Sequence, residues 1–175
     1  VPIFAANWKM NKAISEIEPY CANLKVNDGY QVVVAPPATH LPALMAATAK
    51  TRIEASAQNS GTAKSGAFTG EISPVFLKEL NVGWTIVGHS ERRHVYKEDD
   101  ALVLARMKAA LEEGLQVIFC VGEKIDERKA GKTFSVVETQ LSILKQVASQ
   151  YYKKVVIAYE PVWAIGTGET ATPKQ

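Results

Sequence analysis

Six short, almost uniformly apolar runs, each separated from the next by a longer amphipathic stretch, leave this chain few folds to choose from. The runs fall at 3–6, 31–35, 53–57, 84–87, 117–121 and 155–159. Most stay apolar at successive positions instead of alternating, which suits parallel strands covered on both faces. The stretches between them carry helical periodicity. Val137, Leu141, Leu144 and Ala148 make one stripe, with Thr133 placed to cap it. Asp99 or Asp100 can cap a second helix that runs to Glu113, ahead of Gly114, a residue suited to a left-handed turn. Pro19 belongs in the first turn of its helix, because deeper it would remove a hydrogen bond, and Asn27-Asp28-Gly29 marks a turn. Strand and helix in repeated alternation predict an α/β protein with a parallel sheet, as a single domain over 1–175. An open doubly wound sheet and a closed barrel both satisfy the pattern.

Composition removes several function classes. A net charge of +2 without a basic stripe argues against a nucleic-acid partner. The apolar runs are far shorter than the ~20 residues of a membrane span, so no membrane partner is expected. No charged-then-apolar leader opens the chain, and Cys21 and Cys120 sit in apolar segments as reduced thiols. These features predict a soluble, cytoplasmic protein.

In either α/β architecture, functional groups gather where strands end. The first strand runs into Asn7-Trp8-Lys9, the fourth into Gly88-His89-Ser90-Glu91, and the sixth into Glu160-Pro161. A cation, an imidazole and a carboxylate then share one rim. That set suits proton abstraction beside a carbonyl: a carboxylate base, a donor to the carbonyl oxygen, and positive charge for the enediolate. Each residue also has a plainer role, Lys9 as solvated surface and His89 as a hydrogen-bonded loop residue. Glu160 is harder to dismiss, because it follows a strand too apolar to be surface. His40 and His94 carry only the plain reading, and Trp8, Trp84 and Trp163 read as packing groups.

The segment from Gly166 to Ala171 matches G-x-G-x-x-[GA], the dinucleotide fingerprint, but in the wrong setting. Six residues separate it from the sixth strand, Pro173 interrupts the would-be helix, and no acidic residue answers ~20 positions on. A flexible glycine-rich loop is the better reading, and neither a cofactor nor a metal is expected.

Asn7-Trp8-Lys9-Met10-Asn11, Ala67-Phe68-Thr69-Gly70-Glu71-Ile72-Ser73, Val87-Gly88-His89-Ser90-Glu91-Arg92-Arg93, Cys120-Val121-Gly122-Glu123 and the run from Ala158 to Gly168 together resemble the triosephosphate isomerase family. The segments occur in family order and span nearly the whole chain. The resemblance implies a (β/α)8 TIM barrel, of which this chain covers about six βα units. It also implies a glycolytic isomerase that interconverts glyceraldehyde 3-phosphate and dihydroxyacetone phosphate. Glu160 would move the proton, and His89 would polarise the carbonyl as a neutral imidazole at a helix N-terminus, a pair for which this family is itself the standard worked case. Lys9, with Asn7 beside it, would meet the phosphate and the enediolate charge. Glu91 would orient Lys9, with Ser90 and Cys120 in support.

Residues 161–171 would form a lid. Gly166 would give its N–H to the phosphate, flanked by Ile165 and Thr167. Pro161, Val162, Trp163 and Glu169, Thr170, Ala171 would be the hinges, and Glu169 departs from the Lys that many relatives carry. Gln58, Phe68 and Thr69 would belong to a loop that docks on a second copy, making a homodimer. The segment after Asn11 is a few residues short for the family. The resemblance also implies seventh and eighth βα units beyond the sixth strand, so the 175 residues alone are expected to be inactive and poorly soluble. An aldolase that forms a Schiff base would need a lysine inside the barrel or at a strand's C-terminal end. Lys153 and Lys154 sit at the opposite end of the sixth strand, which removes that reading. A non-catalytic fragment serving as a structural piece remains the alternative.

Overall fold

The computed structural model describes residues 1–165. Six strands, β1 (Ile3–Asn7), β2 (Gln31–Ala35), β3 (Ile53–Ala57), β4 (Trp84–Val87), β5 (Gln116–Val121) and β6 (Val155–Tyr159), lie within one residue of the expected runs. All adjacent pairs are parallel, and the order in space is the order in the chain. A doubly wound sheet reverses its strand order partway, so this order selects the partial barrel. Among the described residues seven α-helices accompany the sheet: α1 (Ile17–Asn23), α2 (Leu41–Thr48), α3 (Pro74–Glu79), α4 (Ser90–His94), α5 (Asp100–Glu112), α6 (Ile125–Lys129) and α7 (Thr133–Leu141).

Two distinct cores explain why the strands lack alternation. On the outer face Val32, Val34, Val87, Val117 and Phe119 pack against Leu41, Leu44, Leu77, Val103, Met107 and Leu111 of the helices. On the inner face Val33, Ala35, Trp84, Ile86, Ile118 and Cys120 pack with one another, strand on strand, as in a barrel interior. At the N-terminal end of the sheet the Glu54 carboxylate accepts from Gln31 Nε2 (2.6 Å) and Trp84 Nε1 (2.8 Å), which ties β2, β3 and β4 together. Each of β1 and β6 has one sheet neighbour among the described residues, and Phe4, Ile157 and Tyr159 stand exposed along them.

Helix boundaries follow the local chemistry with one correction. Asp99 caps α5 by accepting from the Leu102 N–H at 2.8 Å, Gly114 takes φ +85° after its end, and Pro19 falls in the first turn of α1. Thr133, expected as an N-cap, is instead the first residue of α7, and its hydroxyl donates to Glu123 Oε1 (3.2 Å). The expected long stripe also breaks. After Leu141 the backbone tightens into a 3-10 turn over Ser142–Gln146, whose three-residue period shifts the inward face. Ile143 and Val147 therefore enter the core, and Ala148 is left exposed.

Candidate active site

Parallel pairing brings the C-terminal ends of all six strands to one rim. The register sets Asn7 opposite Ala35, Val87 opposite Phe119, and Val121 opposite Tyr159. Just past Asn7 the chain turns sharply, and Lys9 adopts φ +53°, a left-handed conformation that costs a non-glycine residue about 1–2 kcal/mol. Two contacts hold it there. Asn7 Oδ1 accepts from the Lys9 N–H (2.9 Å), and Gln58 Nε2 donates to the Lys9 carbonyl (2.8 Å) as well as to the Ala35 carbonyl (2.9 Å). The Lys9 ammonium then lies 2.8 Å from Glu91 Oε1.

After β4, Gly88 turns the chain at φ +70°, where a side chain would be strained and would crowd Cys120, Val103 and Arg93. His89 follows as the N-cap of α4, and its Nδ1 accepts from the Glu91 N–H at 3.2 Å. A nitrogen that accepts carries no proton, so this contact places the ring proton on Nε2. That nitrogen faces Glu160 Oε1 at 3.2 Å. The second carboxylate oxygen of Glu160 accepts from the Ser90 N–H (3.3 Å), while the Glu160 N–H donates to the Val121 carbonyl (2.7 Å). Cys120 lies buried below. Burial pushes its thiol pKa far up, and the nearby Glu160 carboxylate pushes the same way, so the thiol stays protonated beside it.

Glu123 is a buried, fully partnered carboxylate that sequence reasoning did not single out beyond its motif. It is fully buried and accepts from Arg128 Nη1, Thr133 Oγ1, the Tyr159 hydroxyl and Trp163 Nε1, all at 3.0–3.2 Å. Its carbonyl also accepts from the Val162 N–H (3.2 Å). The expected hinge of Pro161, Val162 and Trp163 is thus fastened to the end of β5, with the Arg128 guanidinium over the Trp163 ring. An acidic residue directly after an apolar strand was the available signal. Burial alone would raise the Glu123 pKa, but hydrogen bonds from its own N–H, Tyr159, Arg128 and Trp163 outweigh it and hold the carboxyl below its usual range.

The structure thus brings Asn7, Lys9, His89, Ser90, Glu91, Cys120 and Glu160 together. Gln58, the first residue of the expected docking loop, turns its amide into this site. Phe68 and Thr69 stand exposed at the tip of that loop. Ile165 is exposed as well, and Gly166, Thr167, Glu169, Thr170 and Ala171 lie outside the described residues, as does the fingerprint-like segment.

A partial parallel barrel with a carboxylate facing an imidazole N–H, and a fixed lysine on the same rim, defines a barrel enzyme built to move a proton beside a polarised carbonyl. The comparisons make this particular. The family model described as triosephosphate isomerase matches residues 2–175. The chain is 44% identical to the triosephosphate isomerase of Aquifex aeolicus, over 98% of this chain and 71% of that protein. It is 46% identical to that of Aspergillus oryzae, over 97% of this chain and 69% of the relative. The chain belongs to the triosephosphate isomerase family.

The lowered Glu123 pKa gives a signed prediction. The stability it contributes is complete above the usual carboxyl pKa of about 4.3 and is lost as pH falls through the lower folded-state value. Glu123→Gln should therefore destabilise the protein at pH 7 by about 2 kcal/mol, the worth of charge-assisted hydrogen bonds. The gap in denaturant midpoint should close below about pH 4. A gap of constant size from pH 7 to pH 3 would contradict the assignment.

Proposed function

We propose that the rim interconverts glyceraldehyde 3-phosphate and dihydroxyacetone phosphate by proton transfer through an enediolate. The observation that carries this reading is the 3.2 Å approach of His89 Nε2 to Glu160 Oε1, with Lys9 held beside them. In the resting state the Glu160 carboxylate rests on His89 and the Ser90 N–H. Substrate entering between them would take the Nε2–H on its carbonyl oxygen, freeing the carboxylate to abstract the proton from the adjacent carbon. Negative charge then develops on the enediolate oxygens, where His89 donates and Lys9 supplies the positive field. Glu160 returns the proton to the neighbouring carbon, the carbonyl double bond passes to the other oxygen-bearing carbon, and the hydroxyl proton passes from one enediolate oxygen to the other, so that no atom is gained or lost. Lys9, and on the lid Gly166 with Ile165 and Thr167 beside it, would hold the phosphate, while the hinge at Trp163, fastened to Glu123, sets where lid movement begins.

We also propose a homodimer located in the cytoplasm. The loop from Gln58 to Gly70 is tied to the body of the protein at several points. Buried Arg106 donates to the Ser60 carbonyl (2.6 Å) and pairs with Glu71, and the Ser73 hydroxyl donates to the Lys64 carbonyl (2.6 Å). This loop carries Phe68 exposed at its tip, while Met10, Val95 and Tyr96 are also exposed. Met10 and Tyr96 border the cavity that holds Lys9, Gln58 and Glu91, so a partner's loop seated there would bring its own Thr69 toward Lys9. Buried, unpaired Cys21 and Cys120 support a reducing compartment.

Glu160→Asp withdraws the base by about 1 Å, a shift that can lower turnover ~10²-fold while leaving KM nearly unchanged. Steady-state kinetics in a chain extended to the length of its relatives checks this, and turnover within a factor of about two of the parent would remove Glu160 from the base role. Sedimentation of the same protein should give a dimer at micromolar concentration. A fully active monomer would defeat the docking-loop proposal.

A further inference from the structure

We infer that Gln140 is a positioning residue for the base, acting on Glu160 through Gly122. The inference rests on the isomerase reading and deepens it. Gly122 lies one residue beyond the end of β5, so the ladder that pairs Val121 with Tyr159 no longer serves its backbone. Gln140, on α7 and only 8% exposed, takes over that role. Its Oε1 accepts from the Gly122 N–H (2.8 Å) and its Nε2 donates to the Gly122 carbonyl (3.2 Å). Both ends of a buried amide are thereby satisfied by one backbone residue, as a neighbouring strand would satisfy it.

What Gly122 touches gives the clamp its consequence. A side-chain carbon added there would run into the backbone carbonyl of Glu160, so the two backbones are already in contact. On the other side of the same residue the Glu160 N–H is bound to the Val121 carbonyl at 2.7 Å. Glu160 is therefore seated on the Val121–Gly122 segment through its backbone, while its carboxylate must meet His89 within hydrogen-bond reach. Gln140 touches neither the carboxylate nor the imidazole. It fixes the level at which the base leaves the end of β6, and because α7 packs on the outer face, it ties that level to the barrel wall. Lys9 and its supports Asn7 and Gln58 lie at the C-terminal ends of β1 and β3, away from β5 and β6, so loss of the clamp displaces the base without displacing the Lys9 cation.

The test is Gln140→Met in a chain extended to the length of its relatives, which keeps an unbranched side chain of similar length and removes both hydrogen bonds. With glyceraldehyde 3-phosphate as substrate, kcat should fall about tenfold and KM should stay within about a factor of two, the pattern of a displaced base with intact binding. Gln140→Glu, which when ionised still accepts from the Gly122 N–H but cannot donate to its carbonyl, should give an intermediate kcat at a pH high enough to ionise it. A purely structural role would lower the melting temperature of both variants and leave kcat in place. Should Gln140→Met fail to fold, Gln140→Glu decides alone: kcat reduced at unchanged KM supports the inference, and kcat within a factor of about two of the parent overturns it. An inactive parent would defeat the isomerase reading itself, whereas an active parent with unaltered Gln140 variants would defeat only the role of Gln140.

Discussion

The seating of β6 against β5 is the constraint on which the rest of the rim depends. Parallel pairing forces every strand to deliver its C-terminal end to the same side of the sheet, but that alone places a side chain only to within a few ångströms. The finer placement comes from contacts beyond the ladder. The Glu160 N–H bonds the Val121 carbonyl, its own carbonyl presses on Gly122, and its carboxylate meets His89 and the Ser90 N–H. Gly122 is required here for its missing Cβ, and any other residue would push the base off its seat.

The opposing half of the rim is held by a different device. Lys9 is kept in a left-handed backbone conformation by Asn7 on one side and Gln58 on the other, so the ammonium leaves the chain in a defined direction. The ion pair with Glu91 completes this, although both side chains are about one-third to one-half exposed, at 34% and 44%. A pair so exposed contributes about 0–1 kcal/mol to stability. Its value lies in orientation. Backbone strain at Lys9 belongs to a site whose geometry has been set at the expense of local stability, whereas the fully partnered Glu123 carboxylate adds to stability.

Much of this was legible in the sequence, and the limits have a physical origin. Mostly apolar runs gave the strands to within a residue, although β3 carries Glu54 and Ser56 and the described faces of β1 and β6 are only partly covered. The choice between open sheet and barrel needed the spatial order of strands, which no local pattern encodes. The stripe through Leu144 and Ala148 was read with one helical period, whereas the chain changes to a tighter one after Leu141. Asn7, Lys9, His89 and Glu160 were visible because each directly follows a strand or lies within two residues of its end. Gln58 and Glu123 also follow strands, yet their roles stayed hidden. Gln58 reaches across 49 residues to Lys9, and Glu123 across 40 to Trp163, so partnership exists only once the strands are side by side. Gln140, within a polar stretch of α7, gave no local signal at all.

The central claim is that Glu160 itself carries the substrate proton, opposite an imidazole that donates through Nε2. Isomerisation in heavy water measures this directly, by mass spectrometry of deuterium bound to carbon in the triose phosphates. In a chain extended to the length of its relatives, the parent should place deuterium on the carbon beside the carbonyl, since a carboxylate base exchanges its proton with solvent. Glu160→Gln should slow that incorporation by at least about a hundredfold, the contribution of a general base. Incorporation by Glu160→Gln at the parent's rate would show that another group abstracts the proton, and would contradict the account.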